Sequence, residues 1–291
     1  MFGLSAALVT PFEASGRIDL RRLVAHALRC MERGCDSVTL FGTTGEGFGL
    51  TLTERRTAAG ALAQAMPSGR QFVAGVMACA IGDAVEQARM ALDDGASALL
   101  VAPPFYMKDI PDDGLYDWFA RLFDGVGAGL KGVILYHIPG QTAVPLSPEL
   151  VSRLRRSFGG AISGIKDSSG SWETAQAFLA AHGDIAVLIG DERLLPAAMK
   201  LGAQGSICGL ANIAPELMVP VIHEGKESRA MVDIVNMIVS YPVLPAVKAL
   251  VAHGAGDPAF ETVRPPLVPL SGDQKAGLIA GIDALLSEAV A

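Results

Sequence analysis

The sequence has 291 residues, of which 51% are hydrophobic and 18% are charged, a composition that excludes an intrinsically disordered chain and suits one large buried core. The formal net charge of −7, together with the lack of any lysine or arginine run longer than two residues, argues against a nucleic-acid partner. No uninterrupted apolar segment reaches the roughly 18 residues of a membrane span, and the first residues lack a secretory signal pattern. We therefore expect a soluble protein of the cytoplasm whose four cysteines, which form no C-x-x-C motif, stay reduced.

Short apolar segments alternate with longer amphipathic segments through most of the chain. This alternation is typical of buried parallel strands that are each followed by a helix. Eight strands are predicted, at residues 4–10, 37–40, 72–76, 98–101, 133–136, 162–165, 186–189 and 206–208. Eight strand-helix units predict an α/β fold of the (β/α)8 TIM barrel type. An open doubly wound sheet shares the alternation, but no G-x-G-x-x-G motif follows the first strand.

Capping residues place the ends of several helices between these strands. Asp19 is a predicted N-cap for a helix that stops at Gly34, and Ser147 begins a helix that ends at Gly159. Helical patterns then follow the eighth strand at residues 214–223, 228–254 and 272–290. They predict a barrel over residues 1–225 and a small helical C-terminal extension over residues 226–291. No flexible linker separates the two parts.

In such a barrel the C-terminal ends of the strands surround the active site, so polar residues at these ends are the candidates for chemistry. The second predicted strand leads into "FGTTGEG" and the fourth into "PPFY", while the fifth and sixth end at a tyrosine and a lysine and the seventh runs into "GDE". The resulting candidates are Thr43, Thr44, Glu46, Tyr106, Tyr136, Lys166, Asp191 and Glu192.

Lys166 has the properties of a nucleophilic amine. A lysine at the end of an apolar strand is desolvated, which disfavours its charged form, and a neutral amine attacks a ketone to form a Schiff base. An ion pair with Asp167 or a side chain that reaches solvent fits the position equally well. Tyr136 has two interpretations: a phenol that transfers protons during carbinolamine formation and C–C cleavage, or a core residue with its hydroxyl at the rim.

Thr43 and Thr44 lie in a glycine-bounded turn whose amides and hydroxyls can hold a carboxylate. The same sequence also suits a tight turn with local side-chain caps. Chance explains a lysine, a tyrosine and a candidate anion-binding turn at one rim much less well than it explains any one of them alone.

"FGTTGEG", "LYHIPGQT" and "GIKDSSG", in this order and at these strand ends, resemble motifs of the N-acetylneuraminate lyase and dihydrodipicolinate synthase family. These are Schiff-base-forming, pyruvate-dependent class I aldolases, and the resemblance extends from "LVTPF" to "RPPLVPL". It implies Lys166 as the Schiff-base lysine, Tyr136 as the proton-transferring phenol, and Thr43 and Thr44 as carboxylate binders. It also implies a homotetramer of tight dimers, with no metal and no dissociable cofactor.

Five further positions follow from the same resemblance. Tyr106 aligns with a tyrosine that dihydrodipicolinate synthases donate across a dimer interface, and the backbone of Ile207 is expected close to pyruvate. Gln141 stands where those synthases carry an arginine for the second substrate's carboxylate, and a neutral amide cannot form that bidentate pair. Asp191 and Glu192 resemble the acidic pair that neuraminate lyases use on sugar hydroxyls, although a helix N-terminus also favours acidic residues.

The sequence thus predicts a carbon-carbon or carbon-oxygen lyase, or aldolase, that acts on pyruvate or a hydroxylated 2-keto acid through Lys166. Dihydrodipicolinate synthase, which condenses pyruvate with aspartate semialdehyde, is the first alternative, and a sialic acid lyase is another. A metal-dependent class II aldolase needs clustered histidine and carboxylate ligands, whereas the five histidines here are scattered. A non-catalytic 2-keto-acid-binding regulator is expected to lack Lys166 or Tyr136, and both are present.

Overall fold

Eight parallel strands close into a barrel in the order in which they occur in the chain, with β8 paired to β1. The computed structural model describes the backbone of residues 1–290 and the side chains of residues 1–288. The predicted TIM barrel is confirmed. The strands are β1 (Gly3–Ala7), β2 (Ser37–Leu40), β3 (Gln71–Val76), β4 (Ala98–Val101), β5 (Val133–His137), β6 (Ile162–Asp167), β7 (Ala186–Ile189) and β8 (Gly205–Cys208).

Helices follow the strands on the outside of the barrel, and three further helices follow α9. They are α1 (Leu20–Glu32), α2 (Leu52–Ala65), α3 (Ile81–Asp93), α4 (Asp112–Val126), α5 (Pro139–Thr142), α6 (Pro148–Phe158), α7 (Trp172–His182), α8 (Leu195–Lys200), α9 (Pro215–Glu224), α10 (Arg229–Val239), α11 (Val243–Ala255) and α12 (Gly272–Val290). No helix within residues 1–290 combines the length and the apolar character that a membrane crossing needs.

Side-chain caps fix several of these helices where the sequence predicts them. Asp19 accepts a hydrogen bond from the backbone N–H of Arg22 at the start of α1, and Ser147 accepts one from the N–H of Leu150 at the start of α6. The division of the chain at residue 225 stays a prediction, and residue 291 of the predicted extension lies outside the described residues.

The structure corrects the ends of three strands. β1 stops at Ala7 rather than at residue 10, because the N–H of Val9 donates to the Asn212 side chain and the carbonyl of Thr10 accepts from Lys248. β5 and β6 each run past their predicted ends, since Tyr136 pairs with Lys166 and the next residue of each strand pairs as well.

The single helical pattern expected over residues 228–254 is also wrong. It divides into α10 and α11 at a short turn, Ser240–Pro242. Pro242 has no backbone N–H with which to continue the first helix, and it stands immediately before the first residue of the second. The turn brings both helices over the C-terminal end of the barrel.

Inside the barrel an apolar cluster fills the space between the strands, and Tyr136 is its most polar member. A second, larger cluster packs the strands against the surrounding helices. The catalytic candidates therefore stand on a buried, tightly packed apolar base, which restricts the conformations that their side chains can adopt.

Candidate active site

Lys166 and Tyr136 lie side by side because β5 and β6 pair them in register. Both side chains are buried. The Lys166 Nζ donates to the Tyr136 Oη at 3.2 Å, and the same phenol oxygen lies 3.3 Å from the Thr43 Oγ1. The amine also lies 4.3 Å from the centre of the Tyr136 ring. These contacts form a continuous hydrogen-bonded chain from Thr43 through Tyr136 to Lys166.

The Asp167 carboxylate contacts groups other than the Lys166 amine. Its carboxylate accepts the backbone N–H of Ser169 at 2.9 Å and lies 4.0 Å from the Nε2 of His137, while burial raises its pKa. Successive residues of a strand point to opposite faces, so the side chains of Lys166 and Asp167 diverge.

His137 is a packing residue behind the barrel wall. Its Nδ1 accepts the backbone N–H of Leu146 at 2.9 Å, and its ring packs edge-on against Phe178 with centroids 5.3 Å apart. Burial lowers the pKa of this imidazole to about 4, so it is neutral at physiological pH.

A cavity of about 230 Å³ opens above the Lys166–Tyr136 pair at the C-terminal mouth of the barrel. Most of the residues that the sequence proposes for the site line it. They are Thr43, Thr44, Tyr136, Gln141, Lys166, Asp191, Glu192 and Ile207.

Two of these candidates do not line the cavity. Glu46 is buried in the turn after β2, and Tyr106, whose side chain is 81% exposed, lies outside the cavity of its own chain. The suggested role of Tyr106 in a partner's site stays a prediction.

Gly190, at the end of β7, is a site residue that sequence reasoning missed. A Cβ at this position would lie 3.0 Å from the Lys166 Cε and 2.0 Å from the Ser168 hydroxyl. A larger residue would therefore collide with the Ser168 side chain and crowd the stem of Lys166. The signal in the sequence is the glycine that directly follows an apolar strand in "LIGDE".

The turn that carries Thr43 and Thr44 folds back tightly on itself. The N–H of Glu46 donates to the Thr43 carbonyl at 3.0 Å, and the N–H of Gly47 donates to the Gly42 carbonyl at 3.0 Å. Glu46 adopts a left-handed conformation with a φ of 54°, which is uncommon for a residue other than glycine. Such a backbone persists only where its surroundings fix it.

A buried ion pair provides that support. The Lys248 Nζ, on α11, donates to the Glu46 Oε1 at 2.5 Å and to the Thr10 carbonyl at 2.9 Å, and the backbone N–H of Arg264 donates to the Glu46 Oε2 at 3.0 Å. Burial lowers the pKa of Lys248, and the charge of Glu46 opposes that change. Sequence reasoning missed this Glu46–Lys248 pair. A lone lysine inside the apolar "LPAVKALVA" was the available signal.

The acidic pair after β7 is already engaged. The Asp191 carboxylate forms an ion pair with the Arg193 guanidinium, with the closest contact at 2.6 Å. It also accepts the backbone N–H of Arg193 and so caps the turn that follows. Glu192 is buried and accepts the backbone N–H of Leu210 at 3.0 Å, and burial raises its pKa. Neither carboxylate is a free anion that projects into the cavity.

Cations that could replace the missing arginine at Gln141 are likewise engaged. Lys108 donates to the backbone carbonyls of Phe105 and Thr142, and Arg193 divides its donors between Asp191 and the Asn236 amide. Among residues 1–288, Lys166 is the one cationic residue that lines the cavity. The same part of the chain holds no cluster of three or more potential metal ligands.

Comparisons with known proteins identify the family of the chain. The sequence model of the "Dihydrodipicolinate synthetase family" matches residues 1–285. An "Uncharacterized DapA-like lyase" from Chloroflexus aurantiacus is 32% identical, over 98% of this chain and 97% of the relative.

Two crystal structures are similar in sequence and in fold. A dihydrodipicolinate synthase from Agrobacterium tumefaciens is 44% identical with a TM-score of 0.95, and covers 98% of this chain and 99% of its own. The prophage protein YagE from Escherichia coli K12, in complex with pyruvate, is 25% identical with a TM-score of 0.90 over the same shares.

The resemblance that the three sequence motifs indicated is confirmed across nearly the whole chain. The enzyme class is confirmed with it: a lyase that forms a Schiff base with pyruvate or a related 2-keto acid. The chain belongs to the dihydrodipicolinate synthetase family.

Proposed function

We propose that Lys166 forms the Schiff base, that Tyr136 and Thr43 transfer protons, and that the turn at Thr43 and Thr44 holds the substrate carboxylate. The observation that carries this proposal is the hydrogen-bonded chain from Lys166 through Tyr136 to Thr43 at the bottom of the cavity. We place the substrate carboxylate at the turn and the carbonyl carbon at the amine. Ile207, whose backbone we propose lies close to pyruvate, lines the same cavity.

The proposed reaction cleaves a 4-hydroxy-2-keto acid. The Lys166 amine adds to C2, Tyr136 gives its proton to the departing hydroxyl, and water leaves an iminium ion. The phenolate then takes the proton of the C4 hydroxyl, the C3–C4 electron pair moves toward the iminium nitrogen, and an aldehyde departs. The resulting enamine takes that proton at C3, and water releases pyruvate and restores both side chains. The covalent Schiff base supplies the electron sink, so we propose no dissociable cofactor.

Dihydrodipicolinate synthesis is the second candidate, favoured by the 44% identity to the Agrobacterium tumefaciens synthase. It requires the site to hold a second carboxylate. Gln141 is neutral and the neighbouring cations Lys108 and Arg193 are engaged elsewhere, so we place this reaction below cleavage of a hydroxylated 2-keto acid.

We further propose a cytoplasmic homotetramer built from tight dimers, in which Tyr106 completes the partner's site. Tyr106 and Met107 are exposed beside an apolar groove that shares Thr43 and Gln141 with the cavity. Mixing Lys166→Ala subunits with Tyr106→Ala subunits is expected to restore activity that neither variant has alone. Mixed dimers that stay inactive would refute the shared site.

Borohydride trapping tests the central proposal. Pyruvate with borohydride should leave one reduced adduct on Lys166, which intact-mass and peptide analysis locates. Lys166→Arg should abolish the adduct, whereas Lys131→Arg, at an exposed lysine, should retain it. The absence of an adduct, or an adduct on Lys131, would overturn the assignment.

A further inference from the structure

One wall of the cavity consists of apolar side chains from the two helices that cover the barrel mouth. α10 and α11 contribute three residues each: Val235, Ile238, Val239, Val243, Leu244 and Val247. Val239 and Val243, on either side of the turn between the helices, are 44% and 41% exposed. Single exposed valines are ordinary, but these two continue an apolar surface that begins inside a catalytic cavity.

The charged residues that line the cavity are held by other groups of the protein. Asp191 is held by Arg193, and Glu192 is buried against the backbone of Leu210. Lys166, the one cationic lining residue among the described side chains, is assigned to the Schiff base. A second carboxylate on the substrate would meet no free cation among the described lining residues, which disfavours its desolvation.

We propose that the substrate is a 4-hydroxy-2-keto acid whose chain beyond C4 is uncharged and apolar, so that the aldehyde released is an alkyl or aryl aldehyde. This inference rests on the proposed function. With the carboxylate at the Thr43 and Thr44 turn and C2 at Lys166, the C4 substituent extends away from the barrel floor and along the apolar wall.

The size of the expected preference follows from the area that the wall buries. Each methylene group moved from water into an apolar site is worth about fourfold in binding, or about sixtyfold for three carbons. A substituent that lies half exposed along Val239 and Val243 should retain about half of this free energy, which corresponds to about eightfold in binding.

Condensation of pyruvate with matched aldehydes measures this preference. Butanal and succinic semialdehyde share a four-carbon chain, which ends in a methyl group in the first and in a carboxylate in the second. Propanal and glyceraldehyde share a three-carbon chain, and glyceraldehyde carries two additional hydroxyls. We expect kcat/KM to be higher for the apolar member of each pair by about eightfold or more, because the polar member must also give up the hydration of its carboxylate or hydroxyls.

A lysine introduced into the wall should reverse one of these preferences. Val243→Lys should raise kcat/KM for succinic semialdehyde and lower it for butanal. Val268→Lys is the matched control, since Val268 is 72% exposed and does not line the cavity. It should change neither value.

Three outcomes would overturn the inference. Glyceraldehyde that reacts faster than propanal would mean that the site recognises hydroxyls, and succinic semialdehyde that reacts faster than butanal would mean that it holds a second carboxylate. If Val243→Lys changed the oligomeric state but left the aldehyde preference unchanged, a second copy of the chain would cover this wall. The borohydride adduct does not depend on the aldehyde, so its loss would refute the proposed function instead.

Discussion

Removing the buried cation of the Glu46–Lys248 pair should destabilise the fold and weaken pyruvate binding. Lys248 is 0% exposed, so Lys248→Met would leave the buried Glu46 carboxylate with the Arg264 amide as its one remaining partner among the described residues. Breaking a buried pair from one side costs about 3–5 kcal/mol. At about 2 °C per kcal/mol for a chain of this size, the melting temperature should fall by about 6–10 °C.

Thermal melting with and without pyruvate, together with KM and kcat, tests this reasoning. The double variant Glu46→Gln with Lys248→Met removes both charges and should recover at least half of the lost stability, because an amide oxygen still accepts from Arg264. In the single variant KM for pyruvate should rise more than kcat falls, because the pair acts on the carboxylate turn. A Lys248→Met protein that melts within about 1 °C of the wild type would refute the argument, since that is the behaviour of a surface substitution.

Three further results are expected. Tyr136→Phe should preserve the fold and lower turnover by about 10²–10⁴-fold, the usual effect of losing an acid-base group, whereas unchanged steady-state rates would contradict its role. Gln141→Arg should raise kcat/KM for aspartate semialdehyde above a weak wild-type value, and a wild-type value of about 10⁴ M⁻¹s⁻¹ or more would identify the chain as a synthase. Burial lowers the pKa of His26 from 6.5 to about 4, so the unfolded state binds more protons between these values and the melting temperature should fall as pH drops from about 6.5 to 4. His26→Gln should make that decline shallower, and an unchanged profile would exclude this histidine as its source.

The site's central residues were predictable because they interrupt a strong local pattern. Tyr136 and Lys166 are polar residues at the ends of apolar runs, and parallel strand ends meet at one mouth of a barrel. The sequence could not reveal their direct contact, which depends on the register between β5 and β6.

Other features depend on contacts that no local pattern contains. The lysine of the Glu46–Lys248 pair lies on a helix, where a lysine is ordinarily solvent-exposed, and its partner is 202 residues away. The break between α10 and α11 is concealed by apolar residues on both sides of Pro242, and the apolar wall that these helices form is visible only once they are placed over the barrel.

The Glu46–Lys248 pair also has a consequence for the order in which the protein matures. During synthesis all eight strands, which end at Cys208, leave the ribosome before the lysine that neutralises the turn between β2 and α2. Until Lys248 has been synthesised, the Glu46 carboxylate has no buried cation as a partner and stays in contact with water. The turn therefore cannot hold its left-handed backbone. A nascent barrel would therefore have its amine and phenol in place yet bind keto acid poorly. We expect the capacity to bind substrate to emerge with the last fifth of the chain, so that incomplete molecules have little capacity for the reaction.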